Sequence, residues 1–237
     1  MTAEFDKHAR SYDGGLDNPV KRLMGDAADQ FIAVKARWLL RREPALKEGA
    51  LSLLDYGCGA GDLMRVLAGL GAQASFTGCD VSQGMLAEAS TRWPAALGAP
   101  PRTARQDGVR APFADASFDI ATASAVLHHV PPPERAGVYA ELGRVVKPGG
   151  RIYVFEHNPR NPLVRYVVAR TPIDENAILL DPHEVRHGLL AAARYEIETD
   201  YLMFMPPRIT FLRGIDRALA WLPLGAQYAV AARKPPI

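Results

Sequence analysis

Cysteine is scarce in this chain, with only Cys58 and Cys79 among 237 residues. Two cysteines offer neither the disulfide framework of a small secreted domain nor a cysteine zinc site. Free thiols in a reducing, cytoplasmic compartment are therefore expected. No run approaches the roughly 18 apolar residues of a membrane-spanning helix. The opening MTAEFDKHARSYDGG is polar and lacks the apolar stretch of a secretory leader. Neither sign of charge accumulates: 28 Lys and Arg oppose 26 Asp and Glu, for a net charge of +2. Nothing in that balance calls for bulk attraction to nucleic acid. There is no internal repeat. Hydrophobic residues make up 48% and charged residues 23%, an ordinary globular composition in a chain long enough for one α/β domain with a sizeable core. Its Arg and Ala usage is that of a bacterial protein with a GC-rich gene.

Apolar periodicity supplies the elements. Leu23, Ala27, Phe31, Val34 and Trp38 recur at helical spacing over about 21–42. LSLLDYG reads as a short buried strand. DLMRVLAGLG reads as a helix with Leu63, Val66 and Leu67 on one face and Gly69 or Gly71 at its end. ASFTGCD, ARQD and SFDIATASAV are further strands, with a helix from SQGMLAEASTRW capped by Ser82. PPERAGVYAELGRVV is a helix entered through prolines, Lys147–Gly150 a turn, and RIYVFEH a fifth strand. Strands alternating with helices over 50–157 predict a parallel sheet with right-handed crossovers. After 158 a Pro-rich, irregular segment to about 182 reads as a lid. A helix from HEVRHGLLAAARY and two closing strands, YEIETDYLMFMPP and QYAVAARKPP, follow, with a helix and turn between the strands. The division expected is a cap at 1–44, a core at 45–157, the lid at 158–182 and the rest of the sheet at 183–237.

The stretch LLDYGCGAGD (53–62) places Gly57, Gly59 and Gly61 at the end of the first strand. In a doubly wound sheet, ligands bind outside those strand ends, where the strand order reverses. Glycines there serve a tight turn, or let a ligand pack on bare peptide groups. A dinucleotide fingerprint wants its third glycine at 62, which here is Asp62. An acid at a helix start would repel a pyrophosphate. Asp55 could accept bonds from an amino group. Asp80, closing the second strand, suits ribose hydroxyls or a helix cap. Asp107, after the third strand, suits an exocyclic amine. Together these imply a nucleoside that carries an amine and no phosphate at this point.

LLDYGCGAGD, CDVSQGML, RQDGVRAPFADASFDIATASAVLHHV and VVKPGGRIYVFE, in this order, resemble the successive motifs of class I S-adenosylmethionine-dependent methyltransferases. The likeness is strongest to the small-molecule group that includes the ubiquinone/menaquinone methyltransferases. FDKHARSYD near the N-terminus is similar to an opening common in that group. The resemblance implies a doubly wound, seven-stranded, mostly parallel α/β sheet of Rossmann-like type, its last strand antiparallel, with a helical cap and a lid after strand five. It implies S-adenosylmethionine as cofactor and S-adenosylhomocysteine as product. By position, Asp55, Gly57 and Gly59 would line the methionine end, with Cys58 and Gly61 in the same loop. Asp80 would hold the ribose, Val81 and Met85 would flank the adenine, and Asp107 with Gly108 would meet its amine. Ser124, Ala125 and His128 would face the sulfonium, and Tyr12 would close over the cofactor. Gly108-Val109-Arg110 departs from the pattern, since relatives often carry a small residue and an acid there.

The acceptor end is less specified. His128 and His129 are adjacent, and either could be structural or catalytic. Glu156 and His157 close the fifth strand, where a base or a hydroxyl-orienting group would sit. His128, Glu156 and His157 are thus the catalytic candidates. His183 and His187 lie four apart on a helix without the H-E-x-x-H pattern, and no metal is expected. The apolar C-terminal segments fit core, substrate tunnel or peripheral membrane face. The reaction expected is methyl transfer to an oxygen or nitrogen of a small-molecule acceptor, such as a secondary metabolite, a quinone-like ring or a glycan- or lipid-linked group. An NAD(P)-dependent oxidoreductase and a non-catalytic scaffold are the rival readings. The misplaced third glycine opposes the first, and the intact set Asp55, Gly57, Gly59, Asp80 and Asp107 the second.

Overall fold

The computed structural model describes residues 28–205 and 213–236. Tyr12, the FDKHARSYD opening and about the first two turns of the expected N-terminal helix, with Leu23 and Ala27, lie outside them. Seven strands form one sheet in the order β3-β2-β1-β4-β5-β7-β6. In chain order the elements are α1 (Ala28–Arg42), β1 (Ser52–Tyr56), α2 (Asp62–Gly69), β2 (Ser75–Asp80), α3 (Gln83–Thr91) and β3 (Arg102–Arg105). Then come β4 (Phe118–Ser124), α4 (Arg135–Val145), β5 (Val146–His157), α5 (Pro162–Val168), α6 (Pro182–Ala192), β6 (Glu196–Leu202), α7 (Arg213–Ala218) and β7 (Gln227–Arg233). Strands β3, β2, β1, β4 and β5 pair in parallel. Strand β7 runs antiparallel to both β5 and β6.

The central strands β1, β4, β5 and β7 are largely buried because helices cover both faces of the sheet. Successive residues enter opposite layers, as the two-residue period of a strand requires. Leu54, Ala121, Ile152 and Val154 pack with Val138, Tyr139 and Leu142 of α4 and with Val185 and Leu189 of α6. Their neighbours Leu53, Ile120, Tyr153 and Phe155 pack on the other face with Trp38 and Leu39 of α1 and with Leu63 and Leu67 of α2.

Two elements differ from expectation. The Lys-Pro-Gly-Gly turn lies inside β5, whose pairing with β4 jumps from Phe118–Val146 to Ile120–Arg151. The excursion stays in the sheet because Gly149 takes φ 77° and Lys147 bonds Asp119 at 2.8 Å. The segment after β5 is less irregular than its prolines suggest. Pro162 opens α5, with Asn161 as its cap, accepting from the backbone N–H groups of Leu163 and Val164. Proline costs nothing at a first helical position, where its missing N–H would have no partner.

Candidate active site

Strand order reverses between β1 and β4, and a cavity of about 280 Å³ opens at their carboxyl ends. Gly57, Gly59 and Gly61 adopt φ of 67°, 51° and 74°. A Cβ on Gly57 would come within 2.7 Å of Val126, so side chains are excluded there by contact as well as by conformation. The loop is held by Asp80, whose two carboxylate oxygens accept from the N–H groups of Gly59 (2.9 Å) and Ser82 (2.8 Å). Ser82, not Asp80, caps α3, through the Met85 N–H at 3.1 Å. Asp80 lines the cavity, and a carboxylate oxygen can accept more than one bond.

Asp55 is 2% exposed and also lines the cavity. Burial drives its carboxyl up to about 7 against the opposing Thr122 hydrogen bond and the Lys35 charge. The Thr122 hydroxyl donates to it at 2.7 Å. Lys35 reaches in from α1 and donates to Ser124 at 3.0 Å. Asp62 opens α2, buried and cavity-lining, and pairs with Arg65 at 2.8 Å. The carboxylates among these groups suit a cationic ligand and disfavour a pyrophosphate.

Histidines belong to the same cavity. Glu156 is fully buried and does not line the cavity. It accepts from the N–H groups of Val126 (3.0 Å) and Leu127 (2.7 Å) and meets His128 Nδ1 at 2.5 Å. It is bonded to the loop after β4 from beneath, rather than open to the cavity. His128, His129 and His157 do line it. Burial alone would lower His128, but the Glu156 and Asp174 carboxylates outweigh it and raise the imidazole to about 9. Burial raises Glu156, yet the His128 charge brings it down to about 2. Burial and the neighbouring His128 charge push His157 down to about 3, so its ring stays neutral near pH 7.

Of the cofactor candidates, Asp55, Gly57, Cys58, Gly59, Asp80, Val81, Met85, Gly108, Ser124 and His128 all line the cavity. Asp107 does not: it is exposed and forms a small turn with Arg110. β3 ends at Arg105, earlier than expected, and the backbone turns Gln106 inward and Asp107 outward. Cys58 and Cys79 are free and buried, and burial raises both thiols. The sequence reading missed Lys35, Gln106, Asp174 and Gln227, all in the lining. Lys35 alone carried a signal, as a cation between the apolar positions of its helix.

A family model described as a methyltransferase domain matches residues 53–150. A demethylmenaquinone methyltransferase of Beutenbergia cavernae is 34% identical over 157 residues, covering 65% of this chain and 61% of that protein. One from Parafrankia sp. is 32% identical over 203 residues, covering 77% of this chain and 74% of that protein. This chain spans about half the length of several other curated relatives. Among solved structures, a methyltransferase of Thermotoga maritima, named as a possible histamine N-methyltransferase, superposes with a TM-score of 0.69 at 16% identity. That match covers 99% of this chain and 100% of the other.

Proposed function

This chain belongs to the class I S-adenosylmethionine-dependent methyltransferases, and we propose on that premise that it moves the cofactor's methyl group to an oxygen or nitrogen of a small-molecule acceptor. The observation that supports the reading is one crevice lined by two unlike sets of groups. Asp55, Asp80 and the glycine loop form one set, and His128, His129 and His157 form the other. The acids and bare peptide groups suit a nucleoside with an ammonium and a sulfonium. The histidines suit an acceptor hydroxyl or amine placed behind the methyl carbon.

Transfer from a sulfonium is an in-line displacement with an excellent leaving group, so alignment and exclusion of water carry most of the catalysis. In this reading His157 orients the acceptor's hydroxyl, which its place in the cavity lining supports, and Glu156 holds His128. A ring carbon of a quinol is the second reading, favoured because one relative is named a ubiquinone/menaquinone C-methyltransferase. Exposed Leu163, Tyr166, Trp221 and Leu224 support a peripheral membrane contact for delivery of an apolar acceptor. No described helix is long and apolar enough to cross a membrane. The two free, buried thiols support a reducing, cytoplasmic setting.

Calorimetric titration with S-adenosylhomocysteine, with NAD as control, tests the cofactor. Saturable binding of the first alone is expected, and binding of NAD alone overturns the reading. Once a screen of methyl transfer yields an acceptor, His157→Ala should lower kcat by about 100-fold or more, the scale of a positioned proton-transfer group. Its affinity for S-adenosylhomocysteine should be unchanged. Unaltered turnover would remove His157 from the mechanism.

A further inference from the structure

We propose that His128, His129 and Asp174 form a divalent transition-metal site in the cavity wall, whose open positions take a pair of adjacent oxygen atoms on the acceptor. The metal site stands on geometry alone, and the acceptor clause rests on the methyltransferase reading.

The Nε2 atoms of His128 and His129 each lie 3.6 Å from the same oxygen, Oδ1 of Asp174. That separation is an ion-pair distance, within reach of a protonated imidazole. It is near the edge of about 3.3 Å spanned by two ligands bonded at about 2.0 Å in a tetrahedral site. One donor atom from each of the three residues lies within 4.8 Å of the other two. The donors come from two loops that the fold ties together. The two histidines sit on the short turn Leu127–His129, and Asp174 ends the turn Pro172–Asp174. The Ile178 N–H donates to the His128 carbonyl at 2.8 Å. Buried Arg135 donates to the carbonyls of Leu127, Val130 and Ile178.

Glu156 adds a second, independent feature. Its contact at His128 Nδ1 leaves Nε2 as the atom directed toward Asp174. A carboxylate behind a metal-binding imidazole is the usual outer-shell partner, because it fixes the tautomer and the ring orientation. Two imidazoles and one carboxylate suit ions between manganese and zinc. They leave coordination positions open toward a cavity also lined by His157 and Gln227. An ion there would hold an acceptor hydroxyl and a neighbouring oxygen together and make the hydroxyl more acidic. His183 and His187, exposed on α6, are the competing adventitious site.

The test is calorimetric titration of the untagged, chelator-treated chain with zinc chloride alone, alongside a separate titration with S-adenosylhomocysteine. One zinc per chain is expected. His129→Ala and Asp174→Asn should each weaken zinc by about 100-fold, the upper end of what loss of even an outer-shell partner costs. Both should leave S-adenosylhomocysteine binding intact, which separates failure of the metal site from failure of the methyltransferase reading. His129 is only partly buried, so its truncation should disturb folding less, and that variant decides if Asp174→Asn misfolds. With zinc bound, catechol should bind and 1,4-dihydroxybenzene should not. Absence of saturable zinc binding overturns the site, and so does loss of zinc only in the His183→Ala/His187→Ala double variant. Equal binding of the two phenols overturns the paired-oxygen acceptor.

Discussion

At the scale of single residues, Asp55 is the most consequential group in the crevice. Lys35 of α1, Asp62 of α2, Asp80 of β2 and Thr122 of β4 surround it. Its carboxyl is raised from 3.8 to about 7 in the folded chain, chiefly by burial. A raised acid binds more protons folded than unfolded, so stability falls as pH climbs between those two values. The penalty is absent below about pH 4 and complete above about pH 7. Asp55→Asn, which keeps an acceptor for Thr122, should raise the unfolding midpoint near pH 8 and leave it unchanged near pH 4. The same change should weaken S-adenosylhomocysteine by about 10–100-fold, the value of a lost charged hydrogen bond. An equal midpoint shift at both pH values would show that the raised carboxyl does not shape stability. The places of Asp55 and Asp80 in the crevice lining were legible in the sequence, because each lies at the end of a strand beside glycines or a cap. Asp174 was not, and Lys35 showed only as a cation between apolar positions, because both reach the crevice through contacts made at long range. Lys35 meets Ser124 across 89 positions of chain. Asp107 looked inward only because the end of a four-residue strand fixes which neighbour faces the site.

Among the elements, the pairing of α4 with α6 is the least forgiving. Both helices cover one face of the sheet through Val138, Leu142, Val185 and Leu189. Gly188 of α6 sits directly against the Tyr139 ring of α4, and a Cβ there would overlap three of its ring atoms. In an isolated helix, alanine for glycine would help by up to about 1 kcal/mol. Here the ring has to move inside a packed layer, which costs about 1–3 kcal/mol. Gly188→Ala should therefore lower the urea midpoint despite its better helix propensity, and a raised midpoint would show that Tyr139 has room to swing. The helix itself was legible from apolar spacing, but its crossing partner was not, since no local pattern tells which glycine faces a ring. The same holds for β5, where Lys-Pro-Gly-Gly reads as a turn by composition. Pairing with β4 on either side of Gly149 keeps it within the strand.

Taken whole, the molecule ties its cavity to the far side of its sheet through α1. Phe31, Ile32 and Lys35 of that helix line the cavity. One turn further on, Trp38 packs edge-on against Tyr153 and Phe155 of β5, at centroid distances of 5.6 and 5.5 Å. Its indole N–H donates to Asp200 of β6 at 2.8 Å, and Arg42 bonds the same carboxylate at 3.1 Å. Trp38 thus anchors the helix that forms one cavity wall, although it does not line the cavity itself. Trp38→Ala should cost about 3–5 kcal/mol in denaturant stability, as expected for an aromatic truncated in a core. It should also weaken S-adenosylhomocysteine, because a loosened α1 must be ordered again on binding. Saturating S-adenosylhomocysteine should then protect the amide hydrogens of α1 from exchange by a larger factor in Trp38→Ala than in the parent chain. If the variant loses stability but keeps full ligand affinity, α1 is only a cover on the sheet, and the cavity wall does not depend on the aromatic anchor behind it.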